Sequence, residues 1–224
     1  YRWVSYPNRN LWVGKMDKQG NNLWEKEYTL TQPAEPWDMA TCQDSGFVVV
    51  CEANDMAQCV KLNKAGELVW EKIYTLGEKM YPRSVIALDD GGYALAGAVY
   101  NKETKYHAFL LKVDNQGNKQ WTKTFVKTEN DVNSALIEKD KKGNIILAAT
   151  HEYNNYKGEQ EIYLAKLNPQ GEMLWEKTIC GTGTLELGGL AITSDNQILL
   201  TGYLNYETHE EKSEIFLRKV ENGE

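Results

Sequence analysis

The chain has 224 residues, enough for one large domain or two small ones, and its 42% hydrophobic content is that of a soluble globular protein. A formal net charge of −7, with no block of Lys and Arg, argues against sequence-independent nucleic-acid binding, because neutralising phosphates needs clustered cations. The longest apolar runs, FVVVC and IILAA, fall far short of the ~18 residues that a membrane-spanning helix requires.

In chain order, residues 1 to about 30 hold three short segments, of which WVGKMD and LWEKEY are the second and third. A fuller pattern then begins: WDMATC is half-alternating, QDSG is a turn, FVVVC is an apolar run, and CVKLN and VWEKIY follow. The same four segments return as RSVIAL, YALAG, FLLKVD and QWTKTF, and again as NSALIE, IILAA, YLAKLN and LWEKTI. The last copy supplies GLAITS, ILLTG and FLRKVE. Each segment is short, rich in Val, Ile, Leu and aromatics, and bounded by Gly, Asn and Asp, which reads as strand. None reaches even twelve residues of 3.6-residue periodicity, so helices are not expected. Gly20, Gly66, Gly117 and Gly171 supply the positive φ of tight hairpins.

Trp24, Trp70, Trp121 and Trp175 recur at spacings of 46, 51 and 54 residues, one per unit. Four antiparallel strands at such a period predict an all-β chain, a β-propeller of four-stranded blades. Eighteen strands are expected in five blades, with boundaries near 1–30, 31–76, 77–127, 128–181 and 182–224, in a single domain 1–224. The first blade lacks its first strand and the last lacks its fourth. The outer blades are therefore abbreviated, or the chain is an arc of a larger wheel; five blades is the simpler reading.

The run DGGYALAG, then FLLKVDNQG, then Trp121 resembles the repeats of secreted bacterial β-propeller proteins, most of them uncharacterised. LNKAGELVW is similar to the tryptophan-docking motif of pyrroloquinoline-quinone-type propellers, and the kelch layout is a weaker likeness. The resemblance implies a propeller fold and export to the extracellular space, cell surface or periplasm. A start at Tyr1 rather than Met is compatible with a removed export signal. A quinone enzyme would need a cofactor and metal constellation, and the docking phrase here has no adjacent cysteines, so no cofactor is expected.

Several columns look chemical and read better as structural. Lys15, Lys61, Lys112, Lys166 and Lys219 could ring an anionic ligand. A residue present in every blade, however, serves something every blade does, and the expectation is stems along the strand with ammonium groups in water or paired with carboxylates. Cys42, Cys51, Cys59 and Cys180 show no metal-ligand spacing and read as structural thiols, with a Cys51–Cys59 bridge left open. His107, His151 and His209 fall in loops of successive blades and read as surface histidines rather than metal ligands.

Specificity belongs on the face carrying the variable connections, including NKETKYH, HEYNNYKGEQ, NYETHEEKS, TQPAEPW and GEKMYPR. Candidate ligand-binding residues there are Trp37, Asp38, Tyr81, Arg83, Asp131, Asn133 and Glu186. An aromatic plate, an Arg and carboxylates suit a sugar or peptide; the alternative is a solvated rim without a ligand. The expected function is a non-catalytic, exported binding or scaffold propeller that recognises a glycan, peptide or partner protein as a monomer. The alternative is a glycoside hydrolase or lyase using Asp38, Asp131 and Glu186, which would need carboxyl groups ~5–5.5 Å or ~6.5–9.5 Å apart.

Overall fold

The computed structural model describes residues 10–125, 130–153, 160–180, 184–205 and 213–221. They form seventeen strands and no helix, so none long and apolar enough to cross a membrane. The first sheet pairs β1 (Leu11–Met16) with β2 (Asn22–Tyr28). The second runs β3 (Glu35–Thr41), β4 (Phe47–Ala53), β5 (Met56–Leu62) and β6 (Leu68–Tyr74). The third runs β7 (Lys79–Ala87), β8 (Tyr93–Asn101), β9 (Lys105–Val113) and β10 (Lys119–Phe125). The fourth runs β11 (Asn130–Lys139), β12 (Ile145–Tyr153), β13 (Gln160–Leu167) and β14 (Met173–Cys180). The fifth runs β15 (Thr184–Ile192), β16 (Ile198–Asn205) and β17 (Ser213–Val220). Every sheet is an antiparallel meander of consecutive strands. The strand expected ahead of β1 lies outside the described residues.

The sheets stack in chain order, and four apolar clusters fill the four gaps. Leu11, Val13 and Tyr28 of the first sheet meet Val49, Cys51, Val60 and Leu62 of the second. Val50, Ala57 and Cys59 leave the opposite face of the second sheet to meet Leu95, Phe109 and Leu111 of the third. Ala96 and Leu110 then meet Ile137, Leu147 and Tyr163, and Ile146, Ile162 and Leu164 meet Leu187, Ile198 and Leu200. Each sheet therefore has a front face toward its predecessor and a back face toward its successor. Because the middle sheets are covered on both faces, β4, β8 and β12 carry continuous apolar runs rather than alternation.

The turns recur with the same chemistry. Asp17, Asn63, Asp114 and Asn168 each accept main-chain N–H bonds from the residues two and four positions on, at 2.8–3.1 Å. The glycine that follows in each turn sits at φ between +73° and +85°. Three of these glycines also receive tryptophans. A Cβ on Gly66 would stand 2.8 Å from the Trp24 ring, one on Gly117 would stand 3.1 Å from Trp70, and one on Gly171 would stand 3.0 Å from Trp121. Each indole thus rests on the next sheet's hairpin, and Tyr28 and Tyr74 hydroxyls donate to Gly66 O and Gly117 O at 2.6 and 2.8 Å.

One expectation is corrected, two are refined and one that was left open is settled. The column lysines do pair with carboxylates, but Lys61, Lys112 and Lys166 are buried rather than exposed: they meet Asp44, Asp90 and Asp140 at 2.8, 2.5 and 3.0 Å. His107 is buried within β9 rather than on a loop, and His151 falls in β12; His209 lies outside the described residues. Cys42, Cys51 and Cys59 are free, and Cys51 and Cys59 point to opposite faces of their sheet, which precludes a bridge. The first strand of each full sheet also begins earlier than its apolar segment, so Tyr81 and Asp131 join Arg83 and Asn133 as strand residues.

Candidate functional site

On the first strand of each of the last four sheets, one residue is skipped in the pairing register. The skip falls between Pro36 and Asp38 on β3, Pro82 and Ser84 on β7, Val132 and Ser134 on β11, and Leu187 and Gly189 on β15. Such a bulge bends the strand and re-aims one side chain, and a proline fits beside it because it has no N–H to contribute to a ladder. The bulged residues are Trp37, Arg83, Asn133 and Gly188. The bulge also explains the column of small residues opposite it. A Cβ on Gly97 would lie 2.1 Å from Tyr81 O, and one on Gly202 would lie 2.0 Å from Glu186 O. On β11 the bulge is displaced by two residues, so Ala149 faces Ala135 in regular register and a methyl group fits.

Two of the re-aimed side chains meet. The guanidinium carbon of Arg83 lies 3.5 Å from the ring centroid of Trp37, joining the second and third sheets in a cation–π stack. Arg83 Nη1 is 3.6 Å from Glu52 Oε2 at the end of β4 and donates to Pro82 O at 3.3 Å. Burial pushes the Glu52 carboxyl above the usual carboxylate range, against the pull of Arg83. Trp37 keeps 44% of its surface exposed, so its outer face is open to a ligand. It also forms a wall of a cleft of about 470 Å³ between β1 and β3, which is lined by Leu11, Trp12, Val13 and Met39 as well. Tyr81 packs in a neighbouring aromatic group, 5.9 Å from Tyr106, whose ring is 4.9 Å from Tyr100. Desolvation, then Tyr106, pushes the Tyr81 phenol up to about 12.

Asp38 has a different role. Its Oδ2 accepts from Val85 N at 2.8 Å and from Ser84 Oγ at 3.2 Å, and Ser84 Oγ in turn accepts from Ile137 N at 3.3 Å. This chain of bonds ties the first strands of three successive sheets. Beside it lies a cavity of about 410 Å³ lined by Asp38, Ser84, Ile137, Glu138 and Lys139. Burial raises the Glu138 carboxyl above its ordinary value, and the charge of Asp38 adds to the effect. Lys139 is engaged by Asp89 at 2.5 Å.

The structure thus brings Trp37 together with Arg83, Tyr81 with Tyr106, and Asp38 with Glu138. Glu186 stands apart on β15, where it accepts a hydrogen bond from the Tyr203 hydroxyl. Asp131 and Asn133 are placed on β11, and their side chains lie outside the described residues. Reading the sequence misses Glu52, Ser84, Tyr106 and Glu138. Only Glu138 carries a sequence signal, a carboxylate where the other first strands have Ala40, Ile86 and Ala191. Among the described residues no three His, Cys, Asp or Glu side chains gather as metal ligands.

No family model matches the chain, and no curated protein matches its sequence. Solved structures do. A protein of unknown function from Dyadobacter fermentans DSM 18053 superposes over 99% of this chain and 71% of its own, with a TM-score of 0.66 and 12% identity. A mutant puromycin hydrolase complexed with PGG superposes over 80% of this chain at a TM-score of 0.55 and 11% identity. Another puromycin hydrolase structure superposes over 85% at 0.53 and 10%. This chain spans only 30% and 33% of those two. At such identities the likeness is one of fold.

Proposed function

We propose that this chain is an exported, non-catalytic binding propeller, its five sheets acting as blades, that recognises a glycan, peptide or partner protein through the face bearing Trp37 and Arg83. The observation that carries this reading is the stack itself. Two bulges on adjacent sheets aim an indole and a guanidinium at one point, and Glu52 holds the guanidinium in place. A scaffold has no need of this, since the other bulges carry Asn133 and Gly188. Trp and Arg are the side chains that concentrate binding energy at recognition surfaces. Screening the protein on glycan and peptide arrays tests the reading. Trp37→Ala and Arg83→Ala should each abolish the strongest signal while leaving the thermal midpoint within a few degrees of wild type. Signals untouched by both substitutions would reject the site.

A second reading rests on the cavity shared by Asp38 and Glu138. A carboxylate held by donors beside a carboxyl raised by burial is the arrangement of an acid and a base or nucleophile in glycoside hydrolysis. Turnover of any polysaccharide by wild type, lost in Glu138→Gln, would favour catalysis over recognition.

A further inference from the structure

The first strands of the second, third and fourth sheets line a cavity of about 410 Å³, and its charges do not cancel. Asp38 enters from β3 and Glu138 from β11. Lys139, the cation in the same lining, is held by Asp89 at 2.5 Å and so is already neutralised. The two carboxyl groups differ in how they are satisfied. Asp38 Oδ1 accepts from Met39 N at 2.8 Å, and its Oδ2 accepts from Val85 N and Ser84 Oγ at 2.8 and 3.2 Å. Glu138 draws only on the main chain of Lys139, and the charge of Asp38 acts on it by repulsion. Among the described residues no lysine or arginine pairs with it.

A half-buried carboxylate facing a second one is a cost to the fold, because burial and like charge both disfavour its ionised form. The scaffold does not require it, since Ala40, Ile86 and Ala191 hold the same place on the other first strands. A binding group, in contrast, is retained for its partner rather than for the fold. Met39, Ala40, Ile86 and Ala87 give the remaining wall an apolar character. The volume lies at the low end of the ~300–1,000 Å³ typical of small-molecule sites, which suits a compact molecule rather than a polymer.

We propose that this cavity binds a small organic cation, an amine on a short apolar body, with Glu138 as the carboxylate that receives its ammonium group. The ligand supplies the positive charge that the lining lacks, through a charge-assisted hydrogen bond. Asp38, whose oxygens are committed to protein donors, adds attraction without receiving the ligand directly. The apolar body lies on Met39 and Ile86. A metal ion fits less well, because among the described residues no third His, Cys, Asp or Glu joins the pair. The site is independent of the stack at Trp37 and requires no turnover by the Asp38–Glu138 pair.

Isothermal titration calorimetry of the intact chain with benzylamine, benzyl alcohol and benzoate tests this. Benzylamine should bind one molecule per chain. The neutral and anionic analogues, which share its ring, should bind at least tenfold more weakly. Glu138→Gln keeps the shape, removes the charge and should weaken benzylamine at least tenfold. Glu103→Gln, at an exposed carboxylate between β8 and β9, should change nothing, which separates a local ion pair from an effect of net charge. Far-UV circular dichroism confirms that both variants keep their sheets. No benzylamine binding would overturn the proposal, as would equal binding of benzylamine and benzyl alcohol. Benzylamine binding untouched by Glu138→Gln, or tighter binding of calcium than of benzylamine, would also overturn it.

Discussion

Lys166 and Asp140 show how one repeated residue can be satisfied in different ways. Lys61 and Lys112 reach Asp44 and Asp90, each two residues into its hairpin turn, but the fourth sheet has Lys142 at that turn position. There the partner is Asp140, at the start of the turn, which also accepts from Lys142 N and Asn144 N at 2.9 Å. Both side chains of this pair are enclosed, at 4% and 0% exposure, whereas Lys219 and Asp195 are mostly open. Removing one member of a buried pair strands the other charge, so Lys166→Met should lower unfolding stability by about 3 kcal/mol. Lys219→Met should cost under about 1 kcal/mol, and urea titration compares the two. Burial opposes ionisation at Asp140, but donors from Asn144 and Lys166 outweigh it and hold the carboxyl below its ordinary 3.8. Asp44 and Asp90 are depressed likewise, and the open Asp195 falls to about 2. A depressed carboxyl stabilises the fold fully above its unfolded value and loses that contribution as pH falls through the folded value. The stability gap between wild type and Asp140→Asn should therefore be constant from neutral pH down to about pH 5 and shrink below about pH 4. A gap that persists at about pH 2 would show that charge is not its source. Glu138 has the opposite sign, because its carboxyl is raised, and Glu138→Gln should stabilise the protein at neutral pH.

At the level of the hairpin, the glycines of the tryptophan turns meet two separate demands. Gly20 sits at φ +84° with nothing within 4 Å of a would-be Cβ, so only conformation calls for glycine there. Gly117 sits at φ +76° with Lys72 Cγ at 2.8 Å and the Trp70 ring at 3.1 Å, so space calls for it too. Gly20→Ala should cost about 1–2 kcal/mol, the penalty of the left-handed region for a residue with a Cβ. Gly117→Ala should cost clearly more, and the difference between their thermal midpoints measures the docking of Trp70. Equal costs would mean that the indole yields freely. This junction was legible in the sequence because every repeat imposes the same constraint, leaving Trp, Gly and Lys at fixed offsets. The bulges were not, since a skipped residue changes which side chains face each other without changing their types. Trp37 and Arg83 could be chosen as candidates by position, but their contact depends on two bulges on separate sheets. Glu52 and Tyr106 each occur once, and a residue that occurs once forms no column to read. His107 was misplaced because β9 starts at Lys105, inside what looked like a loop.

Across the whole molecule, stability should follow the number of neighbours each sheet has. In a stack where sheets contact only the next and the previous one, the free energy is close to a sum of sheet and junction contributions. The third and fourth sheets are covered on both faces, and their β8, β9, β12 and β13 hold the fully buried Ala96, Leu110, Leu147 and Leu164. Among the described residues, the first and fifth sheets each pack against one neighbour and contain exposed Met16, Ile215 and Leu217. Amide hydrogen exchange should therefore be slowest in β8, β9, β12 and β13 and fastest in β1, β2 and β17, forming a gradient along the stack rather than one uniform level. Leu110→Ala should cost about 3 kcal/mol, within the range for truncating a buried leucine, and should speed exchange in both the third and fourth sheets, since Leu110 belongs to their shared core. Leu217→Ala should leave the protection of the middle sheets unchanged. If Leu217→Ala loosened β8 and β12 as much as Leu110→Ala does, the sheets would be one cooperative body, and serial stacking would not be what sets their stability.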